Sequence, residues 1–112
     1  MVSKGNVLKK ALLKASKEMG ICKRNLQKII GINSDALKYE DIDLESKSGE
    51  LSLMLIRCYQ NLYALVGSNK EQMQHWMHTH NKGTQGIPVE QLSSIDGLVH
   101  VTEYLDRLCR KR

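Results

Sequence analysis

Three histidines lie close together in the stretch "HWMHTH", which covers residues 75–80. Histidine ligates zinc, and a zinc site needs three or four ligands that converge within about 2.3 Å of the metal. His75 and His78 could share one helix face, but His80 lies roughly 200° around a helix from His78. No HExxH motif occurs, and no cysteine lies within ten residues of these histidines. The spacing therefore favours surface and helix-end histidines over a metal site.

The segment that follows, "NKGTQGIPVEQLSSIDGL", holds the only proline and three of the eight glycines. Its "GTQG" lacks the GK[ST] ending of a phosphate-binding loop and follows no predicted strand. Two serines at 93 and 94 lie near Asp96 and His100 in the sequence. A nucleophile, however, needs a base and an orienting acid in contact with it, which closeness in sequence does not provide. We therefore predict that the chain is not an enzyme and uses no metal or cofactor.

The composition favours one small helical protein. The chain has 112 residues, no Phe and only 4% aromatic residues, so its core must be built from Leu, Ile, Val and Met. No stretch approaches the eighteen apolar residues of a membrane span, and the first ten residues do not resemble a secretory signal. The three cysteines are far apart and odd in number, which predicts free thiols in a reducing compartment. We expect a cytoplasmic protein.

Apolar residues recur at helical spacing and predict helices over residues 7–19, 23–30 and 51–66, each followed by a glycine. The third of these is apolar over so broad a surface that we expect it to be central and to pack on more than one neighbour. The polar segment "DIDLESKSGE", residues 41–50, is interpreted as a junction between two halves of the chain.

The second half continues the helical pattern. A helix capped by Ser68 or Asn69 carries Trp76 and extends to His80, after which Asn81 is expected to end it in a left-handed conformation. A short helical turn after the proline, residues 89–92, and a last helix that begins near residue 96 complete the prediction of an all-α fold. The glycine at 97 is expected to allow close approach as this last helix begins.

Charge is distributed unevenly along the chain. Residues 1–32 carry a net charge of +7, residues 33–50 carry −4, and residues 51–112 carry +2. The basic first part suits a polyanionic partner, although a solvated helix face remains an alternative. Two short predicted helices, residues 23–30 and 34–39, are separated by a glycine-containing turn and follow the basic first helix, which is the helix-turn-helix pattern.

The stretch "WMHTHNKGTQGIPVEQLSSIDGLVHVTEYLDRL" resembles the C-terminal toxin-binding domain of the Xre/MbcA/ParS antitoxins. Upstream, "ELSLMLIRCYQNLYALVGSNKEQMQHW" looks like the helix pair that precedes this pattern, and "GICKRNLQKIIGINSDALK" lies where an Xre-type helix-turn-helix belongs. The resemblance extends over about residues 7–108. The family pattern matches Trp76, Asn81, Gly86, Pro88, Leu92, Gly97, Val101 and Leu105.

This resemblance implies the antitoxin of a type II toxin–antitoxin system. The antitoxins that this chain resembles form dimers and neutralise a partner toxin, commonly a RES-domain enzyme that degrades NAD. They also repress their own operon. Residues 1–48 would form the helix-turn-helix region, and residues 49–112 would form the toxin-binding and dimerisation region. The residues expected to bind the toxin are Trp76, Asn81, Pro88, Leu98, Val101, Tyr104, Leu105, Arg107, Arg110 and Arg112.

Operator DNA is the second partner that the resemblance implies. The expected recognition helix, residues 34–39, is short and runs into an acidic segment, which DNA phosphates would repel. The alternative hypothesis is a stand-alone dimeric DNA-binding regulator without a toxin partner. The candidate DNA-binding residues are Lys23, Arg24 and Lys28 for the phosphate backbone and Asn33, Ser34 and Lys38 for the bases.

Overall fold

Six helices form the regular structure of the residues that the computed structural model describes, which are 3–33, 36 and 40–111. No β-strand occurs in this described part, and the predicted all-α class is confirmed. The helices are α1 (Lys4–Glu18), α2 (Lys23–Ile30), α3 (Lys47–Val66), α4 (Lys70–His78), α5 (Pro88–Gln91) and α6 (Ile95–Arg110). Most of the expected recognition helix, residues 34–39, falls outside the described residues.

Four of these helices begin at a side chain that accepts a hydrogen bond from a backbone N–H of the first turn. The capping residues are Ser3, Ser46, Asn69 and Ser94. Such a cap satisfies a donor that has no partner within the helix, which stabilises the helix by about 1 kcal/mol. Of the two residues that the sequence offered as the cap of α4, Asn69 is the one used.

Helix α3 starts four residues before its apolar pattern, so the prediction of a junction over residues 41–50 is wrong in its last part. Ser46 caps the helix by accepting a hydrogen bond of 3.0 Å from Gly49 N. Gly49 is buried against the preceding turn, and a Cβ at this position would lie 2.3 Å from the carbonyl oxygen of Asp43. A good cap and a close backbone contact therefore extend the helix through a polar sequence.

Helix α3 is the centre of the fold, as its broad apolar surface predicted. It packs on α1 and α2 on one side and on α6 on the other. Its buried side chains Leu55, Cys58 and Leu62 belong to a single hydrophobic cluster that also includes Leu12 of α1 and Val101 of α6. A single core therefore contains residues from both of the expected regions, 1–48 and 49–112.

Polar contacts connect α3 to α6 at the edge of this core. The carboxylate of Asp106 pairs with the guanidinium group of Arg57 and accepts a hydrogen bond of 2.5 Å from Asn61 Nδ2. Nearby, burial raises the pKa of the Cys58 thiol to about 12, and the charge of Asp106 contributes to the same direction. This thiol is therefore protonated, and unreactive as a nucleophile, throughout the physiological pH range.

Glu18 connects α1 to α3 and α4. Its carboxylate accepts a hydrogen bond from the hydroxyl of Tyr59 and lies 4.0 Å from the ammonium group of Lys70. Its backbone carbonyl accepts a hydrogen bond from Gln74 Nε2. Burial, together with this hydrogen bond to Glu18, raises the pKa of Tyr59 to about 12. The end of α1 is thus held by both α3 and α4.

The acidic segment is fixed to the start of α1 by Asp41. Its carboxylate accepts hydrogen bonds from Ser3 Oγ and Asn6 Nδ2 and lies 3.6 Å from Lys9 Nζ. The hydrogen bonds from Ser3 and Asn6 lower the pKa of Asp41, while the positive charge of Lys9 has a smaller effect in the same direction. Part of the negative charge of residues 40–45 is therefore neutralised within the chain, by the ion pair of Asp41 with Lys9.

Two further features concern the whole of the described structure. None of its helices has the length and hydropathy to cross a membrane. The three cysteines are free, with Cys22 exposed, Cys58 buried and Cys109 half-buried.

Substitutions at two neighbouring leucines test the core. Leu12 is fully buried, whereas its neighbour Leu13, about 100° further round α1, is 43% exposed. We expect Leu12→Ala to lower the free energy of unfolding by about 2–5 kcal/mol, because it leaves a cavity. Leu13→Ala should cost less than about 1 kcal/mol. Urea denaturation followed by circular dichroism measures both, and equal losses would contradict the assignment of the buried face.

Candidate protein-interaction site

The loop between α4 and α5 was expected to follow a helix that reaches His80 and ends at a left-handed Asn81, and this expectation is wrong. Helix α4 ends at His78, and Thr79 is extended, with φ −118° and ψ 143°. Gln85, and not Asn81, has the positive φ, at 62°. The reason is that the backbone of Asn81 pairs with Gly86 and closes a tight turn, which requires an extended entry.

Asn81 holds this turn together with its backbone and its side chain. Its N–H donates to the carbonyl oxygen of Gly86 over 2.8 Å, and its own carbonyl accepts from the N–H groups of Gln85 and Gly86. Its Oδ1 accepts a hydrogen bond of 3.0 Å from Thr84 N. An asparagine side chain that bonds to the backbone in this way stabilises a turn locally.

Thr84 connects the turn to the rest of the domain. Its side chain is only 1% exposed, and its carbonyl oxygen accepts hydrogen bonds from Gln91 Nε2 over 2.6 Å and from His100 Nε2 over 2.9 Å. Because a carbonyl can only accept, the ring of His100 carries a hydrogen on Nε2. Gly83 lies against the ring of Tyr104, where a Cβ would come within 2.3 Å of the ring atom Cζ. The turn is thereby fixed to α5 and α6.

Two further residues set the path of the chain from the turn into α6. Pro88 is buried at the first position of α5, where its fixed φ suits a helix start. Gly97 lies against the end of α5, and a Cβ there would be 1.8 Å from the carbonyl oxygen of Gln91. The close approach expected of this glycine is therefore present.

His75 and His78 take part in hydrogen bonds within the fold. His78 Nε2 lies 3.0 Å from the carbonyl oxygen of Gly20, and His75 Nδ1 lies 3.4 Å from Thr79 Oγ1. In the described part of the chain, no three His, Cys, Asp or Glu side chains come close enough together to hold a metal ion.

The residues expected to bind a toxin divide into three groups by their position. Leu98, Val101 and Leu105 have no exposed surface, and Pro88 is buried as well. Trp76, Asn81 and Tyr104 are half-buried, and Trp76 borders a surface depression with Val66 and His75. Arg107 and Arg110 are exposed in the last turn of α6, and Arg112 lies outside the described residues.

Helix α6 also presents an exposed polar stripe that the sequence reasoning did not single out as a whole. The members of this α6 stripe are spaced three or four residues apart and change from acidic to basic along the helix. They are Asp96, His100, Glu103, Arg107 and Arg110. Helical spacing identifies these residues once the buried positions of α6 are known. The contacts of Thr84 with Gln91 and His100, in contrast, leave no signal in the sequence.

The candidate DNA-binding residues lie on α2 and just after it. Lys23, Arg24 and Lys28 are exposed, and Arg24 and Lys28 are four residues apart on the side opposite the buried Leu26. Asn33 is exposed and has an interaction partner within the chain. Ser34 and Lys38 lie outside the described residues.

Residues 61–109 match the family model described as the antitoxin Xre/MbcA/ParS C-terminal toxin-binding domain. The match begins in the second half of α3, includes the whole of α4, the turn and α5, and ends within α6. It covers less than half of the chain and does not extend to the helix-turn-helix region that the sequence was expected to contain. No curated protein matches the chain.

The positions that carry the family resemblance lie wholly or partly inside the fold. None of them is exposed: four are half-buried and four are buried. They are Trp76, Asn81, Gly86 and Gly97 in the first group, and Pro88, Leu92, Val101 and Leu105 in the second. These residues therefore form the scaffold on which the exposed α6 stripe is presented.

Gly97→Ala tests the close contact between α5 and α6. We expect this variant to lose at least about 2 kcal/mol of unfolding free energy, since the new methyl group overlaps the carbonyl of Gln91 and the backbone must move. The adjacent Asp96→Ala, at an exposed position in the first turn, should lose less than about 1 kcal/mol. Thermal unfolding of both variants provides the comparison, and a Gly97→Ala protein as stable as the wild type would refute the contact.

Proposed function

We propose that this chain is the antitoxin of a type II toxin–antitoxin system and that it neutralises a partner toxin by direct binding through residues 49–112. The observation that carries this proposal is the match of residues 61–109 to a toxin-binding antitoxin domain. Inhibition by direct binding needs a surface complementary to the toxin and no catalytic group. The fixed turn at residues 81–86 and the helix to which it is bonded are consistent with such a surface.

The α6 stripe is the part of this region that we propose to contact the toxin. Its side chains project from a helix whose other side is anchored in the core by Leu98, Val101 and Leu105, so little ordering is needed on binding. Arg107 and Arg110 lie at its basic end, and arginine is enriched among the residues that dominate binding energy at interfaces. The buried leucines and valine then act by positioning the helix, and the mechanism is occlusion of the toxin's substrate site.

The resemblance to the Xre/MbcA/ParS antitoxins supports a finer proposal, in which the toxin is a RES-domain enzyme that degrades NAD and the antitoxin is a homodimer. Co-expression with the product of the neighbouring gene distinguishes the possibilities. Restored growth with preserved cellular NAD supports this partner. Restored growth without any change in NAD retains the antitoxin but rejects a NAD-degrading toxin. A harmless neighbour would contradict the antitoxin proposal itself.

Reversal of two charges tests the α6 stripe. We expect Arg107→Glu with Arg110→Glu to weaken toxin binding at least about tenfold and to reduce growth rescue. Truncation of α6 is unsuitable because it would expose the buried side of α3. Binding is measured by calorimetry with the purified toxin, and circular dichroism confirms that the variant is folded.

The matched control is Lys23→Glu with Lys28→Glu, which makes the same change of charge on exposed residues of α2, including one in its last turn. This control should bind the toxin as the wild type does. Equal loss in both variants would indicate a general effect of net charge, and unchanged binding by the α6 variant would rule out the stripe as the contact.

We also propose that α2 contacts operator DNA, so that the antitoxin represses its own operon. The exposed Lys23, Arg24 and Lys28 and the charge of +7 on residues 1–32 support this role, and they also favour the second candidate, a dimeric regulator without a toxin. In that case the chain would bind operator DNA while the neighbouring gene product had no effect on growth.

Neutralisation of these three residues tests DNA binding. We expect Lys23→Gln, Arg24→Gln and Lys28→Gln together to weaken operator binding and to reduce the slope of log affinity against log salt by about 3, since each phosphate contact contributes about 0.9. Fluorescence anisotropy at several salt concentrations measures the slope. Lys47→Gln, at an exposed position in the first turn of α3, is the control and should leave it unchanged. An unaltered slope in the triple variant would count against α2 as the DNA contact.

A further inference from the structure

An apolar groove runs along the surface between α1 and α3. Its volume is about 430 Å³, and nearly all of its lining is apolar. The side chains of Val7 on α1 and Leu53 on α3 are 57% and 48% exposed, respectively. The lining residues of this α1–α3 groove are Lys4, Val7, Leu8, Ala11, Leu44, Leu53 and Ile56. Burial of such side chains removes apolar surface from water, which favours a partner on this face.

The same face continues one turn further along both helices. A second depression there is lined by Lys14 of α1 and by Tyr59, Gln60 and Tyr63 of α3. Since residue numbers rise together on the two walls, α1 and α3 run side by side in the same direction. Tyr63 is 43% exposed, so this face holds three of the five large hydrophobic side chains that are exposed in the described part of the chain.

The two ends of the groove have opposite charge. At the starting end, Leu44 is shared with a depression that also borders the exposed carboxylates of Asp43 and Glu45. At the other end lies the exposed ammonium group of Lys14. Among the residues that the structure describes, Lys14 takes part in no ion pair. The exposed Lys4 also lines the starting end, so Lys4, Asp43 and Glu45 together give that end a net charge of −1, and Lys14 gives the other end a charge of +1. The groove is therefore apolar in the middle, and its two ends carry opposite net charge.

We propose that a second copy of this chain covers the α1–α3 groove and that the two copies are related by a two-fold axis. A two-fold axis across the groove reverses its direction in the partner, so the acidic end of each copy meets the basic end of the other. The small side chain of Ala11, near the middle of α1, allows the two helices to approach closely where they cross. This inference rests on the homodimer of the proposed function and adds the surface through which it forms.

Sedimentation equilibrium of the full chain tests the surface. The wild type should be a dimer, with twice the monomer mass of 12.7 kDa. We expect Val7→Glu and Leu53→Glu each to raise the dissociation constant of the dimer at least about 100-fold, because the axis places two carboxylates in an apolar interface. Leu13→Glu, which puts the same charge on α1 but outside the groove lining, should leave the dimer intact.

A charge exchange tests the direction of packing. Glu45→Lys alone should weaken the dimer about fivefold, and Lys14→Glu in addition should restore it, since the pair is then reversed across the interface. A wild-type monomer at micromolar concentration, or a dimer that survives both groove variants, would overturn the proposal. So would equal disruption by Leu13→Glu.

The same variants separate this inference from the proposed function. Calorimetry with the toxin and growth rescue report on the α6 stripe, whereas the sedimentation measurement reports on the groove alone. An intact dimer that fails to bind any toxin would contradict the antitoxin role and leave the groove assignment standing. A monomeric chain that neutralises the toxin would do the reverse.

Discussion

The burial of α3 on more than one side is the constraint on which the rest of the structure depends. A helix that is apolar over so wide a surface cannot be covered by one neighbour, so α1 and α2 occupy one side and α6 the other. Burial of each large aliphatic side chain contributes about 1.5–3 kcal/mol, and this driving force is available only when both sides are filled. The positions of α1 and α6 follow from this requirement. The α1–α3 groove and the α6 stripe are the surfaces that these positions leave exposed.

The polar contacts around α3 then determine how its neighbours are oriented. Asp106 bonds to both Arg57 and Asn61, and this fixes the rotation of α6 about its own axis. At the other side, Glu18 bonds to Tyr59 and so fixes the end of α1. Hydrophobic burial has no direction of its own, whereas these hydrogen bonds require particular geometry. Together they decide which face of each outer helix is left exposed.

Much of this fold could be predicted from the sequence, because helix periodicity and capping are local properties. The range of α2 and the end of α3 followed from the apolar spacing and the glycines after them. The start of α3 and the end of α4 did not, since the first depends on a close contact of Gly49 and the second on the pairing of Asn81 with Gly86. The candidate site was harder still. Its central contact joins Thr84 to His100, which are 16 positions apart, and no periodic signal encodes such a pair.

The position of the eight motif residues, wholly or partly inside the fold, has an evolutionary consequence. Residues that form a scaffold change rarely without loss of stability, whereas exposed positions such as Glu103 and Arg110 tolerate most substitutions within about 0.5 kcal/mol. A chain of this kind can therefore change the surface of α6 through drift at a few exposed positions while its fold persists. Related chains that present different surfaces on α6 would still carry the same signature of buried and half-buried residues.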